Sequence, residues 1–130
     1  MAGYTVVNLR QVEDQAPRFG HSPNMEARFA RVPLELENSG LSHFRFAPGF
    51  RAPFGHRHGE QEEIYVVVRG SLLMKLEDEL VELREWDAIR VPGRTTRGIE
   101  AGPEGVELLA FGAPNTDNRD AQLVEDFWPE

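Results

Sequence analysis

The chain has no cysteine in 130 residues. That excludes disulfides, zinc–thiolate sites and thiol nucleophiles together, and it suits a cytoplasmic location. Positive charge is scarce as well: 14 Lys and Arg stand against 22 Asp and Glu, a formal net charge of −8. Affinity for nucleic acid or anionic lipid rests mainly on Lys/Arg contacts to phosphate, so neither is an expected partner. No apolar run reaches the ~18 residues of a membrane span. Residues 1–15 lack the basic-then-apolar order of a secretory signal, and position 2 is not the Gly that myristoylation requires. What remains is a chain of 40% hydrophobic residues, long enough for one domain with a real core and too short for two. The expected partner is a small molecule or a second copy of the chain.

The chemistry concentrates in residues 48–70, PGFRAPFGHRHGEQEEIYVVVRG. His56 and His58 stand two apart, and side chains of an extended segment alternate with period two, so both imidazoles face the same side. After a short polar loop, Glu63, Tyr65 and Val67 share one face of the next apolar run, with Ile64, Val66 and Val68 on the other. Two imidazoles and a carboxylate converging inside an apolar sheet are a donor set for a first-row divalent metal. A bare H-x-H pair can also be the surface of a turn. Glu63 in register, within a Gly/Pro frame, is what lifts the metal reading above that one.

Elsewhere the pattern is short strands and turns. Residues 4–9 (YTVVNL) read as a first strand. Ser22-Pro23 resembles a helix start with Met25, Phe29 and Val32 on one face, although residues 27–36 fit an extended chain equally well. Residues 41–47 alternate, with Phe44 and Phe46 opposite His43 and Arg45, which makes His43 an exposed or interface histidine. Residues 71–77 and 80–84 form a hairpin around Glu77-Asp78-Glu79. Residues 87–91, 95–100 and 106–111 are further strands, the last two joined by a turn at residues 102–105. Trp86 is expected to pack, and Phe127-Trp128-Pro129 to dock on the barrel or on a partner subunit. Strands at this spacing without a long amphipathic helix predict an all-β antiparallel sandwich or barrel in a single domain.

With the strands and the H-x-H…E cluster in place, residues 41–113 resemble the cupin superfamily of jelly-roll barrels. His56-Arg57-His58, four residues, Glu63, six residues and Gly70 match the register of its first motif. Its second motif is only partly matched: Pro92 is in place, Gly93 is shifted by one, and Arg97 stands where a histidine is usually the fourth metal ligand. A guanidinium cannot ligate. The ligand set carried over is therefore His56, His58 and Glu63, around one divalent transition metal (Fe, Mn, Ni, Cu or Zn).

The resemblance implies a cupin-type jelly-roll barrel over residues 41–113. Residues 1–40 would pack on it as an N-terminal strand and irregular segment, residues 114–130 would be a C-terminal tail, and all would belong to one domain. It also implies a homodimer. The functional expectation is a small metal-dependent enzyme, an oxygenase or isomerase, acting on a small and possibly anionic molecule, with Arg97 and Tyr65 as candidate catalytic residues. A 2+ ion ~6 Å from an inward Arg97 meets repulsion on the order of 5 kcal/mol at an effective dielectric of ~20. Either an anion lies between them, or Arg97 reaches past the metal, or no metal binds and Arg97 pairs with Glu63 in a ligand-binding or structural barrel.

Overall fold

Runs of alternating apolar and polar residues become eight strands, every pair antiparallel. They are β1 (Met25–Phe29), β2 (Gly40–Phe46), β3 (Gly55–His58), β4 (Glu62–Leu76), β5 (Glu79–Leu83), β6 (Ala88–Val91), β7 (Arg97–Ala113) and β8 (Ala121–Val124). The computed structural model describes residues 3–53, 55–115 and 120–128. Two 3-10 turns, Leu9–Gln11 and Ala16–Phe19, precede β1. No helix is long and apolar enough to cross a membrane. The architecture is an all-β, jelly-roll-like curled sheet.

The two long strands, β4 and β7, run beside one another from Glu62↔Ala113 to Leu76↔Arg97, with register shifts between Val67 and Leu72. Those shifts change which face points inward. On β4 the buried set passes from Tyr65 and Val67 to Leu72 and Met74; on β7 it passes from Ile99 and Ala101 to Val106, Leu108 and Ala110. One extra residue in β4 and three extra in β7, where residues 102–105 stand against Ser71, keep apolar side chains inward while the pair bends, which is the geometric use of a β-bulge. Gly70 (φ 78°) and Gly105 (φ 83°) sit at this bend. A Cβ on Gly70 would lie 2.1 Å from the Gly105 carbonyl oxygen. One continuous β7 therefore replaces the two strands and turn expected over residues 95–111.

The core closes around Phe46, Tyr65, Val67, Leu72, Met74, Val91 and Leu108. Phe29, Phe44, Phe46 and Phe50 extend it in a chain of edge-to-face contacts, with ring centroids 5.9, 6.3 and 5.6 Å apart.

Several local expectations are corrected. Residues 4–9 form no strand: Tyr4 and Val6 are exposed, and β propensity without a partner strand has no packing to express. Residues 25–29 are strand rather than helix, because they pair with β2 residue by residue. Trp86 is 75% exposed; its backbone takes a turn with φ 69°, which points the ring away from the sheet. His43 is buried, not exposed, and its Nε2 lies 2.6 Å from Glu107 Oε2. Phe127 and Trp128 dock on their own barrel: Lys75 lies over the Phe127 ring and Arg51 over the Trp128 ring. Pro129 lies outside the described residues.

Two outcomes test this account. Gly70→Ala combines a positive φ with a backbone clash and is expected to cost about 3 kcal/mol by urea unfolding. Gly49→Ala has a similar φ of 71° with open space around it, and should cost only about 1 kcal/mol; equal losses would mean the bend does not depend on close approach. Burial raises the Glu107 carboxyl, but the hydrogen bond with His43 and the charges of Arg10, His43 and Arg69 hold it below its ordinary value near 4.5. A carboxylate lowered in the folded state stabilises fully above its unfolded pKa and progressively less as pH falls through the folded one. Glu107→Gln should therefore cost about 1–2 kcal/mol at neutral pH, with the gap to wild type closing below pH ~4.5. A gap independent of pH would sink the ion-pair account.

Candidate metal centre

β3 is only four residues long, and both of its histidines turn to the same side; their rings meet edge to face, 5.3 Å apart at 90°. β4 brings Glu63 and Tyr65 to the facing inner surface, and β7 places Arg97 directly opposite His56. All five residues singled out in the sequence thus converge on one point. That point is Glu63 Oε1.

Tyr65 donates its hydroxyl to Glu63 Oε1 at 2.5 Å, and Arg97 donates Nη2 to the same oxygen at 2.7 Å. His56 Nε2 stands 3.4 Å from it and His58 Nε2 3.5 Å. The other oxygen, Oε2, accepts from Gln61 Nε2 at 3.1 Å. Gln61 has room because position 112 carries no side chain: a Cβ there would lie 2.3 Å from its Nε2. Glu62, the neighbouring acid, points away toward Arg90.

Arg97 is fully buried. Its Nε donates to the Tyr65 hydroxyl oxygen at 3.2 Å, and its Nη1 donates to the Gly93 and Thr95 carbonyls at 3.0 and 2.8 Å. Its guanidinium thus meets the same oxygen, Glu63 Oε1, that the Tyr65 hydroxyl and both imidazoles approach. Burial alone would raise the Glu63 carboxyl, yet its polar contacts with His56, His58 and Tyr65 hold it well below the usual carboxylate range. Burial and the adjoining Glu63 charge push the Tyr65 phenol far above its usual value, so it is a donor and not a phenolate, even with Arg97 acting in the opposite sense.

The donors of His56, His58 and Glu63 all lie within 4.8 Å of one another, a group that could hold a metal ion. Donors ~2.05 Å from a tetrahedral ion stand about 3.3 Å apart, close to the two His–Glu separations. His58 is 8% exposed, and both of its ring nitrogens are buried without a hydrogen bond. A buried polar atom left unpaired is costly, and a metal would satisfy Nε2. The residues fit the group. His56, with about a third of its side chain exposed, faces the open side.

Two contributors were not singled out in the sequence. Gln61 shares the period-two spacing of Glu63 and Tyr65, a signal that could have found it. Asp120, whose Oδ2 lies 3.4 Å from His58 Nδ1, is 62 residues further along the chain, and no local pattern marks it.

Removing Arg97 tests how far the site depends on it. Arg97→Met should lower stability by about 3–5 kcal/mol, because Glu63 is left buried and uncompensated. Adding Glu63→Gln to that variant should recover part of the loss. A single-variant loss below about 1 kcal/mol by urea unfolding would show that the pair is not integral.

No family model matches the chain. It is 32% identical over 71 residues to an uncharacterised protein of Methanocaldococcus jannaschii, a match covering 54% of this chain and 57% of that one. The chain thus spans little more than half the length of this curated relative. Among solved structures it is similar to a cupin protein from Bacteroides fragilis, at a TM-score of 0.72 and 21% identity over 92% of this chain and 91% of that one. It is similar to the polyketide cyclase RemF from Streptomyces resistomycificus, at a TM-score of 0.74 and 22% identity over 97% and 87%. It also resembles the oxalate decarboxylase of Bacillus subtilis, at a TM-score of 0.73 and 21% identity over 91% of this chain and 32% of that one. Jelly-roll topology, the H-x-H…E register and these superpositions together give the chain the fold of the cupin superfamily.

Proposed function

We propose that this chain is a small metal-binding cupin in which His56, His58 and Glu63 hold one divalent transition metal, and that it is an enzyme acting on a small molecule. The observation that carries this reading is the buried His58 Nε2, which makes no hydrogen bond and faces the same carboxylate oxygen as His56 Nε2. Two imidazoles and one carboxylate leave coordination positions free, as a catalytic site requires. When bound, the metal supplies Lewis-acid polarisation or dioxygen activation, the chemistry of an isomerase or an oxygenase. Tyr65 and Arg97 hold Glu63 ionised and aimed at the imidazoles, and the half-open His56 side admits the substrate. With neutral imidazoles, a 2+ ion and Arg97 against Glu63 and Asp120 leave an uncompensated charge of about 1+, which favours an anionic substrate. RemF is a polyketide cyclase and the Bacillus subtilis protein an oxalate decarboxylase; both names are compatible with small-molecule chemistry in this fold and select neither reaction.

A second reading has its own support in the 2.7 Å Arg97–Glu63 contact: Arg97 neutralises the carboxylate and the barrel binds a ligand, or serves a structural role, without metal. Elemental analysis of untagged protein, purified without chelator and beside His56→Ala, separates the two. About one metal per wild-type chain, lost in the variant, is the expected result. No metal after reconstitution with Fe, Mn, Ni, Cu and Zn would establish the second reading. The reading includes a homodimer, supported by Ile64 and Phe111, adjacent in register on the outward face and 39% and 45% exposed. Light scattering on the same preparation distinguishes a 14.7 kDa chain from a pair.

A further inference from the structure

The strand bearing both histidines has little hold on the main sheet. β3 meets β7 at one register position, His56↔Arg97. Its whole length instead pairs with β8: Gly55↔Val124, His56↔Leu123, Arg57↔Gln122 and His58↔Ala121. The residue immediately before β8 is Asp120.

Asp120 does two things at once. Its Oδ1 accepts the backbone N–H groups of Gly59 and Glu60 at 2.9 and 3.0 Å, and its Oδ2 accepts that of Gln61 at 3.1 Å. Three consecutive amides on one carboxylate fix the loop joining β3 to β4, and so fix the distance between His58 and Glu63. A Cβ on Gly59 would lie 2.7 Å from Asp120 Oδ1, so the loop and the carboxylate are in close contact. The same Oδ2 is 3.4 Å from His58 Nδ1, a charge contact without a hydrogen bond, on the side of the ring away from Glu63. A ligating imidazole has its tautomer and orientation set by what its second nitrogen meets, and a carboxylate there favours the proton on that nitrogen.

We propose that Asp120 is a positioning residue of the metal centre: it draws the proton of His58 onto Nδ1, leaves the Nε2 lone pair facing Glu63, and fastens the C-terminal segment to the ligand strand. This rests on the reading of His56, His58 and Glu63 as ligands. Metal binding and docking of the β8 segment are then thermodynamically linked, each strengthening the other by the same factor.

The test uses the full chain with 15N-labelled histidine, metal-free at about pH 8, where an unperturbed imidazole is neutral. Long-range 1H–15N spectra should show His58 protonated on Nδ1 in wild type and lose that preference in Asp120→Asn. Gln122→Ala, on β8 but away from His58, serves as the control and should leave the tautomer unchanged. Zinc affinity, by competition with a chromophoric chelator, should weaken about 10–100-fold in Asp120→Asn. Zinc should also protect the β8 segment from proteolysis in wild type, and less so in that variant. His58 protonated on Nε2 in wild type would overturn the proposal, as would an unchanged tautomer and affinity in Asp120→Asn. Should wild type bind no zinc while the tautomer still follows Asp120, the positioning role stands and the metal reading fails.

Discussion

One buried carboxylate oxygen organises this barrel. Glu63 Oε1 receives the Tyr65 hydroxyl and the Arg97 guanidinium, and both imidazoles of β3 stand about 3.5 Å away. A carboxylate in an apolar interior would ordinarily be expelled or protonated. Here three strands each contribute a group that favours its charged form: β3 the histidines, β4 the phenol and β7 the guanidinium. The bulge at Gly70 and Gly105 lets β4 and β7 turn without exposing their apolar sets, so the core on one side of the bend and the polar cluster on the other belong to the same pair of strands.

Most of this was legible in the sequence because it follows period two. Alternation around Phe44 and from Glu63 to Val67 located strands and the residues that share a face, and the same rule put His56 and His58 on one side. What escaped follows other rules. Residues 4–9 have strand composition but no neighbouring strand, and pairing is a tertiary property that composition does not carry. The unity of β7 was hidden by Gly102-Pro103-Glu104-Gly105, a turn-like sequence that a register shift opposite Ser71 takes up within one strand. His43 was placed correctly on the outward face but wrongly exposed, since Arg10, Arg28 and Glu107 gather over it from segments distant in sequence.

The site shows the same division. Its donors were visible as a local spacing, whereas their supports were not. Asp120 reaches the β3–β4 loop across 59 to 61 positions of chain, and Arg97 is held by the carbonyls of Gly93 and Thr95, which have no sequence signature. Backbone groups are present at every position, so only the fold says which will be used.

Arg97 is the substitution on which the two functional readings divide, and its geometry weighs between them. A guanidinium that simply replaced a metal would be drawn into the space between the imidazoles, where the positive charge is missing. Arg97 instead turns Nη1 to backbone carbonyls and Nε to Tyr65, and only Nη2 reaches Glu63. A guanidinium on the carboxylate lowers the proton affinity of Glu63, and a carboxylate that stays ionised is the form a metal takes. The negative charge of Glu63, in contact with Arg97 and with both imidazoles, offsets part of the repulsion between Arg97 and a 2+ ion. On the metal reading proposed above, Arg97 in place of a fourth ligand would leave a coordination position open on the side where about a third of the His56 side chain is exposed.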